Sequence, residues 1–208
     1  MKTLNFLLIV VAFTGILSCE KEDSKKSYPT GWFLSGSDPQ NFRIGIDDQD
    51  AQHGQKSGYI ECILEYTDGF GTLMQFCDGK NYAGERVKMT GYVQSLGDDN
   101  TLSLMWVRVD DYDKQVTADF DNMSDRPITG TKLWAKYEIV FDVPESSCVI
   151  NYGLVLTFVG KAWIDNVSFE IVDSSTFKTA YYLNEPFPEE SEFPENLPEE
   201  PVNLDFEE

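Results

Sequence analysis

Three residues of the run WVRVD carry the chemistry most readily: Trp106, Arg108 and Asp110, two positions apart, with Val107 and Val109 between them. In an extended chain that spacing puts an indole, a guanidinium and a carboxylate on one face. Carbohydrate recognition uses this combination, because a sugar's C–H face stacks on an aromatic ring while its hydroxyls need planar polar partners. Tyr92 and Gln94, or Gln75, are the candidates for a neighbouring strand of the same sheet. The competing reading is structural: Arg108 pairs with Asp110, Asp119 or Asp121 beneath the loop DNMSDRP, and Trp106 is a core residue.

Asp165 is the next candidate. In AWIDNVSFEIV a strict alternation gives it the phase of Trp163, Val167, Phe169 and Ile171, which predicts a carboxylate on the core side. A buried carboxylate needs a cation or several hydrogen-bond donors. His53, the single histidine, precedes Gly54 in QHGQKSG and reads as a turn residue. A lone histidine without cysteine or histidine neighbours argues against zinc. The chain has no G-x-S-x-G, H-E-x-x-H, P-loop or dinucleotide fingerprint, so a non-catalytic role is expected. A glycosidase-like carboxylate pair is a matter of distance in space, which spacing along the chain does not give.

These residues must be positioned by strands. Short alternating runs recur, among them NFRIGID, GYIECILE, TLMQFC, ERVKMTGYVQ, TLSLMWVRVD, QVTADF, KYEIVFDV, CVINYGLVLTF and AWIDNVSFEIV, with Gly, Asp, Asn and Pro between them. The pattern predicts an all-β protein, a jelly-roll-like double sheet over residues 31–172. Val87, Met89 and Val93 share one phase, and Arg86, Lys88, Tyr92 and Gln94 the other. Residues 173–208 hold eleven acids, one Lys and five Pro, too acidic and Pro-rich for a central strand. Phe187, Phe193, Leu197, Leu204 and Phe206 predict that this tail lies along the sandwich.

The first residues, MKTLNFLLIVVAFTGILSC, have the charged-then-apolar layout of a secretory signal over residues 1–18, with an apolar run too short to span a membrane comfortably. ILSC resembles a bacterial lipobox, which implies lipidation at Cys19, a linker over 19–30, and a chain anchored to the cell envelope without spanning it. CEKEDS resembles a surface-export signal, so the expected place is the outer membrane, facing outward. With Cys19 acylated, Cys62, Cys77 and Cys148 allow at most one disulfide, and their apolar settings predict buried free thiols. A net charge of −20 leaves no basic surface for nucleic acid.

Several segments occur in a familiar order: GWFLSGSDPQNFRIGIDDQDAQHGQKSGYIE, GFGTLMQ, YAGERVKMTGYV, WVRVD, FDNMSDRPITGT, AWIDNVSFE and EEPVNLDFEE. Together they resemble a bacterial family of galactose-binding-like β-sandwich domains that stand alone or are attached to AraC-type regulators. The match covers residues 31–172 and the last eight, and departs from the expected pattern at QSLGDDNT. More remotely, GW, HGQKSGYI and AWIDNVSFE look like carbohydrate-binding modules of the same superfold. Those modules open with an N-x-x-F-E strand, matched here by NLDFEE at the other end. The resemblance therefore implies a permuted arrangement in which the tail supplies an edge strand. It also implies a structural calcium held by Asp165, Glu207 and backbone carbonyls. The expected function is a lipoprotein with a non-catalytic, carbohydrate-binding sandwich. The alternative is a structural or protein-interaction lipoprotein with no small ligand and a protein partner the sequence does not name.

Overall fold

The computed structural model describes residues 28–186 and 197–208. Cys19, the signal segment, Phe187 and Phe193 lie outside them. Twelve strands form among the described residues: β1 Phe33–Gly36, β2 Phe42–Asp47, β3 Ser57–Cys62, β4 Phe70–Asp78, β5 Arg86–Gly97, β6 Leu102–Asp111, β7 Val116–Asp121, β8 Ile128–Thr129, β9 Lys132–Asp142, β10 Cys148–Thr157, β11 Gly160–Val172 and β12 Tyr181–Glu185. They build two antiparallel sheets. Sheet A has the order β1-β4-β10-β6-β7-β12, with β8 beside β6, and sheet B the order β2-β3-β11-β5-β9. All nine expected strand runs contain a strand. β1, β8 and β12 were not expected: two are short, and β12 sits inside the acidic tail.

Alternation explains the core. Leu73, Met105, Val107, Ile150 and Leu154 point inward from sheet A and meet Ile60, Met89, Val93, Ile139, Phe141 and Ile164 of sheet B. Burying side chains of this size from both faces is the main stabilising term, about 1.5–3 kcal/mol for each large one. Cys62, Cys77 and Cys148 are buried free thiols. Burial pushes the Cys77 and Cys148 thiols up to about 12.

One strand departs from its expected phase. Asp165 pairs with Tyr92 but Ser168 with Thr90, so β11 carries a bulge, with Asn166 at φ +48°. An extra residue in a strand exchanges its two faces. Ala162 and Ile164 point inward before the bulge, and Val167 and Phe169 pack on the core after it. Trp163 and Asp165 therefore lie on the outer face of sheet B, not on the core side.

The described parts of the tail, residues 173–186 and 197–208, pack on the sandwich by other means than a terminal strand. β12 pairs with β7 and becomes the edge of sheet A. NLDFEE docks without pairing as a strand, because Asn203 (φ +48°) and Phe206 (φ +58°) break any extended run. Phe206 is fully buried, stacked on Trp32 with centroids 4.9 Å apart and lying over Gly58, where a methyl group would collide with its ring. Trp32 Nε1 donates to the Asn203 carbonyl at 3.0 Å.

Candidate functional site

The outer face of sheet A is a cleft, and strand register sets its floor. Met74, Gly153 and Trp106 stand side by side across β4, β10 and β6. One step further along the strands, Asn151 is followed by Arg108, Phe120 and Tyr181 across β10, β6, β7 and β12. Gly153 leaves the middle of the floor without a side chain. Trp106 Nε1 donates to Thr72 Oγ1 at 2.9 Å, two strands away on β4, so the indole spans β10 and is fixed there. The resulting space is about 660 Å³, lined by Ser35, Phe70, Thr72, Met74, Leu104, Trp106, Arg108, Phe120, Asn122 and Thr157 among others. That volume lies within the range of small-ligand sites.

Trp106, Arg108 and Asp110 share the outer face as their spacing requires, and their roles divide. Trp106 is 9% exposed and belongs to the cleft floor rather than to the core cluster. Arg108 forms the expected ion pair with Asp110, Nη2 to Oδ2 at 2.8 Å and Nε to Oδ2 at 3.0 Å. Asp110 is 2% exposed and also accepts from Thr117 Oγ1 and from Asn151 Nδ2, each at 3.0 Å. Asp110 thus anchors Arg108 from below, and only the guanidinium reaches the cleft.

Gln75 and Tyr92 do not join them. Gln75 faces inward at 1% exposure, accepting from Tyr152 Oη at 2.6 Å. Its amide also clamps the tail backbone: Oε1 accepts from Val202 N at 2.8 Å and Nε2 donates to Val202 O at 3.0 Å. Its phase in TLMQFC, shared with Leu73 and Cys77, already carried that signal. Tyr92 does point outward, but from β5 in sheet B, on the opposite side of the molecule. Alternation gives a residue's face and not the sheet its strand enters. The same limit hid Phe70, Thr72, Met74, Phe120, Asn122 and Thr157, all of them out of phase with core neighbours.

Asp165 and Glu207 both grip the loop between β2 and β3. Asp165 Oδ2 accepts from Gln52 N at 2.8 Å and His53 N at 2.7 Å, and Oδ1 from Asn166 N at 2.6 Å. Burial nevertheless pushes this carboxyl above its ordinary value. Glu207 Oε1 accepts from Gln55 N at 2.6 Å and Lys56 N at 3.0 Å, and these donors hold its carboxyl below its usual range. His53 stands in the expected turn: Gly54 has φ +67°, and the Glu207 carboxylate fills the space a Cβ would need. The remaining anchors are Asp47, the last residue of β2, and Asp50 within the loop. Asp47 accepts from Trp163 Nε1 at 2.8 Å and pairs with Lys161, and Asp50 accepts from Trp134 Nε1 at 2.8 Å and from Gln94. Backbone N–H donors converge on Asp165 and on one oxygen of Glu207, so these carboxyl groups point at donors instead of joining a shell of inward-pointing oxygens of the kind a hard cation takes. No group of three or more His, Cys, Asp or Glu able to hold a metal occurs among the described residues.

No family model matches the chain. It is 41% identical, over 192 residues and 92% of its length, to an uncharacterised HTH-type transcriptional regulator, YbfP, of Bacillus subtilis (strain 168). The chain spans 61% of that regulator's length. Among solved structures, the CBM22-1 xylan-binding domain from Paenibacillus barcinonensis Xyn10C is similar at a TM-score of 0.51 and 16% identity, over 72% of this chain and 90% of that domain. The CBM22-1-CBM22-2 tandem domain of the same Xyn10C gives a TM-score of 0.51 and 16% identity, over 74% of this chain and 45% of the tandem. At such identities the likeness is one of fold, the carbohydrate-binding-module type of β-sandwich.

Proposed function

We propose that the chain is a non-catalytic β-sandwich that takes a carbohydrate into the cleft of sheet A, as part of a lipoprotein anchored through Cys19 in the cell envelope. The observation that carries the binding role is the composition of the cleft. Trp106, Phe120, Phe70, Met74 and Leu104 provide apolar surface, while Arg108, Asn122, Ser35, Thr72 and Thr157 bring polar groups to the same space. A sugar needs both surfaces at once, and strands hold them in fixed register. The fold shared with a xylan-binding domain supports the reading without naming the sugar. For the anchor, the support is the segment ILSC; incorporation of labelled fatty acid that Cys19→Ser abolishes would test it.

A second reading, a sensory module whose ligand acts on an attached domain, is favoured by the identity with an HTH-type regulator. It uses the same cleft. Both readings are tested by a glycan array probed with the protein, a Trp106→Ala variant, and a Ser35→Trp variant that blocks the cleft from its edge strand. The expected result is binding that both variants lose while Ser35→Trp keeps its thermal stability. Failure of the unaltered protein to bind any glycan would overturn the carbohydrate role and favour a protein-interaction one.

A further inference from the structure

Charge is distributed unevenly over this molecule. The chain carries 36 acids against 16 Lys and Arg, yet no carboxylate lines the cleft, where Arg108 is the one charged residue among the described ones. Its partner Asp110 is buried beneath it and accepts from Nε at 3.0 Å, with Nη2 in ion-pair contact with the same oxygen at 2.8 Å. Nη1 has no partner among the described residues, and the Arg108 side chain is 29% exposed. The end of the guanidinium therefore faces the cleft as a two-nitrogen fork held rigid from behind.

The neighbouring polar group is oriented likewise. Asn122 follows the last residue of β7, just past the Val107–Asp121 pair, and lines the cleft together with Trp106. Its Oδ1 accepts from Ser124 N at 3.1 Å, so the Nδ2 hydrogens are the ones left to a ligand. The indole N–H is spent on Thr72. This end of the cleft thus offers donors. A neutral sugar hydroxyl both donates and accepts and needs acceptors as well, whereas a carboxylate only accepts, and a guanidinium fork matches its two oxygens.

We propose that the cleft selects carbohydrates bearing a carboxylate, uronic acid residues in chemical class, and that Arg108 is the residue that determines this specificity. The proposal rests on the carbohydrate reading above and narrows it. Aromatic and aliphatic floor residues take the sugar ring, and Arg108 with Asn122 takes the carboxylate. Arg108 is already held in place for a ligand, because Asp110 pairs with it and is itself bonded by Thr117 and Asn151.

The test is calorimetric titration of the full chain with galacturonate and glucuronate oligosaccharides, each beside its carboxyl-reduced counterpart of the same linkage. Charge-assisted hydrogen bonds predict that the acid binds roughly tenfold to a hundredfold more tightly than its reduced form. Arg108→Lys, which keeps the charge and a partner for Asp110 but loses the fork, should narrow that ratio by weakening the acids more than their reduced forms. Reduced sugars binding as tightly as acids would overturn the uronate proposal and leave the carbohydrate reading standing. If no uronate, reduced sugar or other glycan binds, both fall. An unchanged ratio in Arg108→Lys, with the thermal transition preserved, would overturn the assignment to Arg108.

Discussion

Replacing Phe206 by alanine tests whether the C-terminal segment is an integral part of the sandwich. The ring is fully buried and stacked on Trp32, and it lies over Gly58, which has no side chain to move into the vacated space. Trp32 is tied by its N–H to Asn203, three residues before Phe206, and so cannot collapse into the hole without giving up that bond. Truncating a buried phenylalanine costs about 3–5 kcal/mol, and sites that relax poorly lie at the upper end. For a domain of this size the thermal midpoint then falls by about 6–20 °C. Urea denaturation of residues 27–208 followed by tryptophan fluorescence would measure the loss, with a red shift as Trp32 becomes hydrated. Phe177→Ala is the control: it truncates the same side chain at a position that is 84% exposed, and should change stability by no more than about 0.5 kcal/mol. A Phe206→Ala protein within about 1 kcal/mol of the parent would refute the argument, making the segment an appendage.

Other expectations are more local. The Arg86 guanidinium bonded to Asp142 holds that carboxyl below its ordinary value, so the folded state prefers the charged form. This contribution is complete above the ordinary carboxylate range and drains away as the pH falls through the lowered value; Asp142→Asn should flatten that part of the acid limb in pH-dependent denaturation, and an unaltered limb would contradict the pairing. Thiols held up at about 12 will not react with Ellman's reagent at pH 8 in the native protein; Cys77 and Cys148 should label only once it is unfolded, and rapid native labelling would refute their burial. Because amide donors already occupy Asp165 and Glu207, neither chelator nor millimolar calcium should shift the thermal midpoint, and a clear rise with calcium would mean that the loop rearranges around the ion.

The sequence by itself determined nine of the twelve strands found among the described residues, most of their phases and many of the residues that face away from the core. Its period-two pattern is a direct consequence of pleated geometry, and it made Trp106, Arg108 and Asp110 neighbours before any fold was known. It contained the inward phase of Gln75 as well, since that residue alternates with Met74 and Phe76 beside Leu73 and Cys77. What only the tertiary structure decided is which sheet each strand joins and what lies across from each side chain. Tyr92 and Trp106 both point outward, yet they stand on opposite sides of the molecule, because register between strands is set by pairing over long separations. The bulge at Asn166 reversed the face of Asp165, an effect of one residue that alternation does not reveal. Asp165 then found loop donors 112 and 113 residues away in the chain, and Glu207 donors 151 and 152 away. The cleft itself belongs to the same class of fact: its lining comes from β1, β4, β6, β7 and β10, and only the packing of these strands into one sheet brings their outer faces together.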